Sequence, residues 1–174
     1  RVVEIVLLNS VTKPLKSAHQ GYGLEEGQLW KQSVSCALMA SAIAETIEAP
    51  EKHTVFTAAL LKDIGVIVLD RHMGEAMATI RKAMEIDSLS LVAAERQVLG
   101  IDHAHLGGRI AEKWNFSEAL AGTIQNHHLT DEVTDIPKAV AMVYLADSMC
   151  SMSGLNGELF CGHYGHYDRV CDQL

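Results

Sequence analysis

The chain has no surplus of basic side chains: 14 lysines and arginines face 22 aspartates and glutamates, for a formal net charge of −8. Such a charge balance repels polyanions and lacks the basic stripe that a phosphate backbone requires, so DNA, RNA and anionic lipid are poor candidates as partners, and none is expected. A long apolar run is missing too. The longest stretch of small and apolar residues, Val34 to Ala44, contains Ser35, Cys36 and Ser41 and is far shorter than a membrane span. No secretory apolar segment is visible either. Cysteine is scarce and unpatterned. Cys36, Cys150, Cys161 and Cys171 show neither CxxC spacing nor the density of a disulfide scaffold, so reduced thiols in a cytoplasmic protein are the expectation. Strict apolar and polar alternation is also lacking, and with it any predicted strand. There are no repeats and no low-complexity linker.

What is present is apolar residues at helical spacing almost throughout, which predicts an all-α fold. Nearly half of the 174 residues are apolar, enough for one core, and a single domain over residues 1–174 is expected. Arg1 stands where an initiator methionine would be and Val2 to Leu8 read as helix interior, so N-terminal helices are expected to be lacking. A long helix is predicted from about Leu29 to Ile47, stopping before Pro50, which disfavours helix in the preceding residue. Pro50 then opens a helix carrying Val55, Phe56, Ala59 and Leu60 that ends near Gly65. Met73, Met77, Ile80 and Met84 mark another helix, Leu91, Val92, Val98 and Leu99 a further one, and Leu106, Ile110 and Trp114 the next. Ser117 reads as the N-cap of a short helix with Leu120 and Ile124 inward, and Pro137 opens the last long helix, striped by Val140, Val143, Tyr144 and Cys150. The Gly-, His- and Tyr-rich tail over about 155–174 is read as irregular.

The informative residues are polar ones that interrupt these stripes. Phe56, Ala59 and Leu60 predict that Asp63 faces inward, and Val140, Val143 and Tyr144 predict the same of Asp147. His127 and His128 follow Ile124 by three and four residues, so at least one shares its buried face. A buried carboxylate without a partner costs several kcal/mol, roughly, so these groups require a cation, a metal or hydrogen-bond donors. Singly, each is a satisfied core group or a helix-end residue reaching solvent. Together, on separate helices, they point to one shared pocket.

Other polar residues carry less. His105, two residues from His103, is expected at the surface or in a cap, and Gly107 and Gly108 at a close helix contact. His163 and His166 read as a solvated loop, the Met73, Met77 and Met84 stripe as core, and His19, His53 and His72 show no pattern.

The segments Leu29-Trp30-Lys31-Gln32-Ser33, Ala59-Leu60-Leu61-Lys62-Asp63-Ile64-Gly65 and Glu95 through Gly107, with Trp114, His127-His128 and Leu145-Ala146-Asp147, resemble in order and spacing the landmarks of HDOD domains. The likeness runs from about Leu29 to Ser153, and the Glu95–Gly107 block is its most specific part. It implies a helical bundle related to the HD and HD-GYP phosphohydrolases. In those enzymes a histidine of the first long helix, a His-Asp pair and a late aspartate bind divalent metal, and HD-GYP members add histidines for a second metal position. The resemblance carries over a partial or vestigial metal set of Asp63, His103, His127, His128 and Asp147. At the first histidine and at the histidine of the His-Asp pair this chain has Gln32 and Lys62.

Those two departures change the chemistry. A glutamine amide is a weak ligand beside imidazole, and a lysine ammonium has no lone pair and adds positive charge where a cation should bind. A hydrolytic centre needs fixed ligands and an open position for an acidified water. The expectation is therefore a pocket that needs no cofactor, with room for a residual divalent metal. Two placements of Lys62 are compatible with the sequence: a tethered cation among Asp63, Asp147 and a pocket histidine, or a side chain that snorkels to solvent. The resemblance implies a non-catalytic signalling module whose partner is a regulatory protein or a fused signalling domain. A metal-dependent phosphohydrolase, or a nucleotide or phosphate sensor using Lys62, are the alternatives.

Overall fold

A computed structural model describes residues 10–129, 135–156, 158–160 and 165–174. The expected helix interior at Val2 to Leu8, Cys161 and His163 lie outside these residues. Among the described residues the chain is all-helical, apart from an isolated bridge between His19 and Leu24. A first helix, α1, covers residues 10–16. It is followed by α2 (Gln28–Thr46), α3 (Lys52–Leu61), α4 (Ile64–Met73), α5 (Ala76–Ile86), α6 (Leu91–Leu99), α7 (His103–Lys113), α8 (Glu118–Gln125), α9 (Lys138–Met152) and α10 (Tyr167–Cys171).

α2 presents Cys36, Ala37, Ala40 and Ala44 inward, small residues that let α3 and α9 lie close against it. α7 in turn packs between α4 and α8. As expected, Gly107 and Gly108 mark a close contact: they face Ile124 and Gln125 of α8, with a Cβ on Gly107 falling 3.1 Å from Ile124 Cγ2. Met73 and Met77 are core, and Met84 is half-buried against it. Ser117 caps α8, its Oγ accepting from the Leu120 N–H at 3.3 Å.

Three boundaries differ from the sequence reading. The helix expected from Pro50 to near Gly65 is two helices, beginning at Lys52 and broken at Lys62–Asp63, where Asp63 leaves helical geometry (φ −96°, ψ 17°). The break has a structural consequence. Adjacent residues on a continuous helix point about 100° apart, whereas the turn brings Lys62 and Asp63 together in the interior. The methionine stripe likewise spans two helices, because Gly74 ends α4 after Met73. The tail is not wholly irregular. A 3-10 turn forms at Glu158–Phe160, and α10 follows, with Val170 buried against α9 and the His166 N–H donating to the Tyr144 hydroxyl at 3.2 Å. Val170 and Leu174 supply its apolar anchor, which the abundance of Gly and His nearby obscures.

α6 ends on Gly100 in the left-handed conformation (φ 76°), and the chain turns directly into Asp102, the N-cap of α7. Asp102 Oδ1 accepts from the His105 N–H at 2.8 Å, and its other oxygen meets Arg96 and the His105 ring. His105 is thus part of a cap, as expected. Burial works to raise the Asp102 pKa, but the His105 N–H and the Arg96 and His105 charges outweigh it and hold the carboxyl below its usual value. Asp102→Ala should cost about 1–2 kcal/mol by urea unfolding. Because the folded pKa is depressed, this contribution is complete above the unfolded value and fades as pH falls through the folded one. The gap between wild type and variant should therefore shrink below about pH 4.

Candidate functional site

The turn between α3 and α4, the N-terminus of α7, the segment after α8 and the middle of α9 meet at one place. Lys62 is almost fully buried, and its ammonium lies 2.5 Å from Asp63 Oδ2 and 2.9 Å from Asp147 Oδ1. Of the two placements open to Lys62, the structure has the tethered cation, held by Asp63 and Asp147, while no bond to a pocket histidine is found among the described residues. Burial works against its charge, but the Asp147 and Asp63 carboxylates outweigh it and hold the ammonium well above its usual pKa.

The second oxygen of Asp63 faces the histidines. His127 Nε2 lies 3.5 Å from Oδ1 and His103 Nε2 3.8 Å. Asp63 Oδ1 and His127 Nε2 are both buried, and at 3.5 Å neither makes a hydrogen bond among the described residues. His128 Nε2 faces His103 Nε2 at 3.1 Å. Two ring nitrogens this close require a proton or a cation at one of them. Burial pushes down the pKa of both rings. For His103 the Glu95, Asp63 and Asp102 carboxylates overcome it and raise the value; for His128 the charges of His127, His103 and Lys62 add to it, and the value falls far below the usual one. Asp63, despite its burial, is held well below the carboxylate range by Lys62 first and then by His127 and His103.

A donor atom from each of Asp63, His103, His127 and His128 lies within 4.8 Å of the others. Three imidazoles and one carboxylate suit a borderline transition-metal dication, and the orphaned Asp63 Oδ1 and His127 Nε2 are the atoms such an ion would satisfy. The residues present fit one ion. Asp147, the fifth predicted ligand, is engaged instead by Lys62 and by the Asn156 side-chain amide, which donates to Oδ1 at 3.2 Å. Gln32 is buried on α2, and neither of its amide atoms has a hydrogen-bond partner, so no bond joins it to the cluster.

Sequence reasoning did not assign a role to Glu95, Tyr22, Asn156 or Phe160. Glu95 is fully buried; it accepts from the His103 N–H at 2.8 Å and from His103 Nδ1 at 2.7 Å on one oxygen, and from the Tyr22 hydroxyl at 2.7 Å on the other. Its signal was present, since it interrupts the Leu91, Val92 and Val98 stripe just as Asp63 interrupts its own. Phe160 sits 5.8 Å from the Tyr22 ring and 6.0 Å from His103. Behind Lys62, Cys36 of α2 and Cys150 of α9 are both buried free thiols. A hydrogen bond between them raises the first pKa and lowers the second.

Residues 1–130 match the family model of the HDOD domain. The chain belongs to the HDOD family. Among solved structures, this HDOD chain is similar to an HDOD domain protein of unknown function from Geobacter sulfurreducens, with 26% identity, a TM-score of 0.72 and coverage of 92% of this chain and 52% of that one. It shares its fold with a protein of Shewanella amazonensis SB2B named as a putative phosphohydrolase, at 18% identity, a TM-score of 0.73 and coverage of 96% of this chain and 60% of that one. The HDOD chain thus spans little more than half the length of these proteins. No curated protein matches it. The all-helical bundle expected from the resemblance is the fold found, and among the described residues no helix is long and apolar enough to cross a membrane.

Proposed function

We propose that this HDOD domain is a non-catalytic regulatory module of the cytoplasm. It passes on a signal through contacts with a regulatory protein or with a signalling domain fused to it, and does not hydrolyse a phosphoester. One observation carries the reading: the Lys62 ammonium lies between Asp63 Oδ2 and Asp147 Oδ1, a position between two carboxylates where a hydrolytic centre would hold metal and an activated water. The ammonium offers no coordination site and cannot acidify a water. Gln32, on the helix that supplies a histidine in the enzymes, compounds the loss.

Assays of generic phosphate esters and cyclic dinucleotides with added manganese, nickel or iron should give no turnover above the buffer rate. Repeatable activity that Asp63→Ala abolishes would overturn the proposal. It would establish the second reading, a metal-dependent phosphohydrolase, which the convergence of Asp63, His103, His127 and His128 favours.

A further inference from the structure

Glu95 has no exposed surface and, among the described residues, no lysine or arginine against it, a costly arrangement for a carboxylate that served packing alone. Its hydrogen bonds explain what it does. By accepting from Nδ1 of His103, and from the same residue's backbone N–H, Glu95 fixes both the rotation of the ring and the nitrogen that it presents, leaving Nε2 to face Asp63 and His128. Tyr22 secures Glu95 from the other side. His127 is held in the same manner, its Nδ1 donating at 2.7 Å to the Ile124 carbonyl, so that in the neutral ring Nε2 carries the lone pair. Anchoring one ring nitrogen in order to aim the other is how proteins orient histidines toward metal. The charge balance is favourable too. Asp63, Glu95 and Asp147 against the single Lys62 ammonium leave two negative charges, which one dication offsets.

We infer that Tyr22 and Glu95 are positioning residues for a single structural transition-metal ion, bound by Asp63 Oδ1 and by Nε2 of His103, His127 and His128. Four protein donors complete a tetrahedral set without an open position, the arrangement of structural rather than catalytic sites. Lys62 need not move, because it holds Asp63 through the other oxygen. The ion ties the α3–α4 turn, α7 and the segment after α8 to one point.

The test is titration of the whole chain, stripped with chelator, with cobalt(II), followed by visible absorption, with elemental analysis of the zinc-loaded protein after dialysis. One ion per chain and the intense absorption of four-coordinate cobalt are expected. Glu95→Gln should weaken binding 10–100-fold. Tyr22→Phe, which keeps the ring and loses only the hydroxyl, should weaken it by less, and the exposed-residue control His53→Ala should not change it. No saturable binding, two ions per chain, or a folded Glu95→Gln variant that binds as tightly as wild type overturns the inference. If Glu95→Gln does not fold, unchanged affinity in Tyr22→Phe overturns it. Turnover assays bear only on the regulatory proposal, so either idea can fail without the other.

Discussion

Lys62→Met should destabilise the protein by about 3–5 kcal/mol, a large part of the stability of a domain of this size. Methionine fills much of the same volume, so lost packing contributes little. What is lost is the cation between Asp63 and Asp147, leaving the buried Asp63 carboxylate without its counter-charge. The sign of the pH dependence follows. In wild type the Asp63 pKa is depressed, so its contribution is present at neutral pH and is lost as pH falls through the folded value. In Lys62→Met the carboxylate protonates more readily, and the gap between the two proteins should narrow toward acid pH. Asp63→Asn in the Lys62→Met background should restore part of the loss, since it removes the uncompensated charge. Urea unfolding followed by circular dichroism at several pH values reads all of this. A loss under 1 kcal/mol at neutral pH would mean that the ammonium does not hold this pair in solution.

Gly65→Ala should cost roughly 3 kcal/mol, at the upper end for overpacking. A Cβ on Gly65 would overlap the carbonyl oxygen of His103 and crowd the backbone N of Gly107, all main-chain atoms that cannot rotate away as a side chain would. Relief requires α4 and α7 to separate, which would also pull His103 from Asp63. Gly122→Ala is the control: α8 leaves open space around that position. It should be neutral or stabilise by about 0.4–1 kcal/mol, because alanine restricts the unfolded chain more than glycine does. Equal effects at the two glycines would mean that α4 and α7 are not in main-chain contact.

Much of this architecture was legible because burial imposes helical periodicity. Leu120 and Ile124 fix the inner face of α8, and Val140, Val143 and Tyr144 fix that of α9, so the inward placement of Asp147 followed from spacing alone. The break at Lys62–Asp63 was not legible. Ala59 through Gly65 is good helical sequence, and the turn is set by tertiary contact with α7 rather than by any local breaker. Tyr22 and Phe160 were hidden for a related reason. They lie in a loop and a short 3-10 turn, where no period says which way a side chain points. Glu95 obeys the same rule as Asp63: it falls on the face of α6 that Leu91 and Val92 bury, so its inward placement is legible from spacing.

The contacts of Phe160 have one more consequence. Its ring rests on Tyr22 near one end of the chain and on His103 in the middle, while Asn156, a few residues earlier, donates to Asp147. The late segment is thereby clasped to the imidazoles and carboxylates at the centre of the bundle. A change in the tilt of His103 or in the charge around Asp147 therefore bears directly on Phe160 and Asn156.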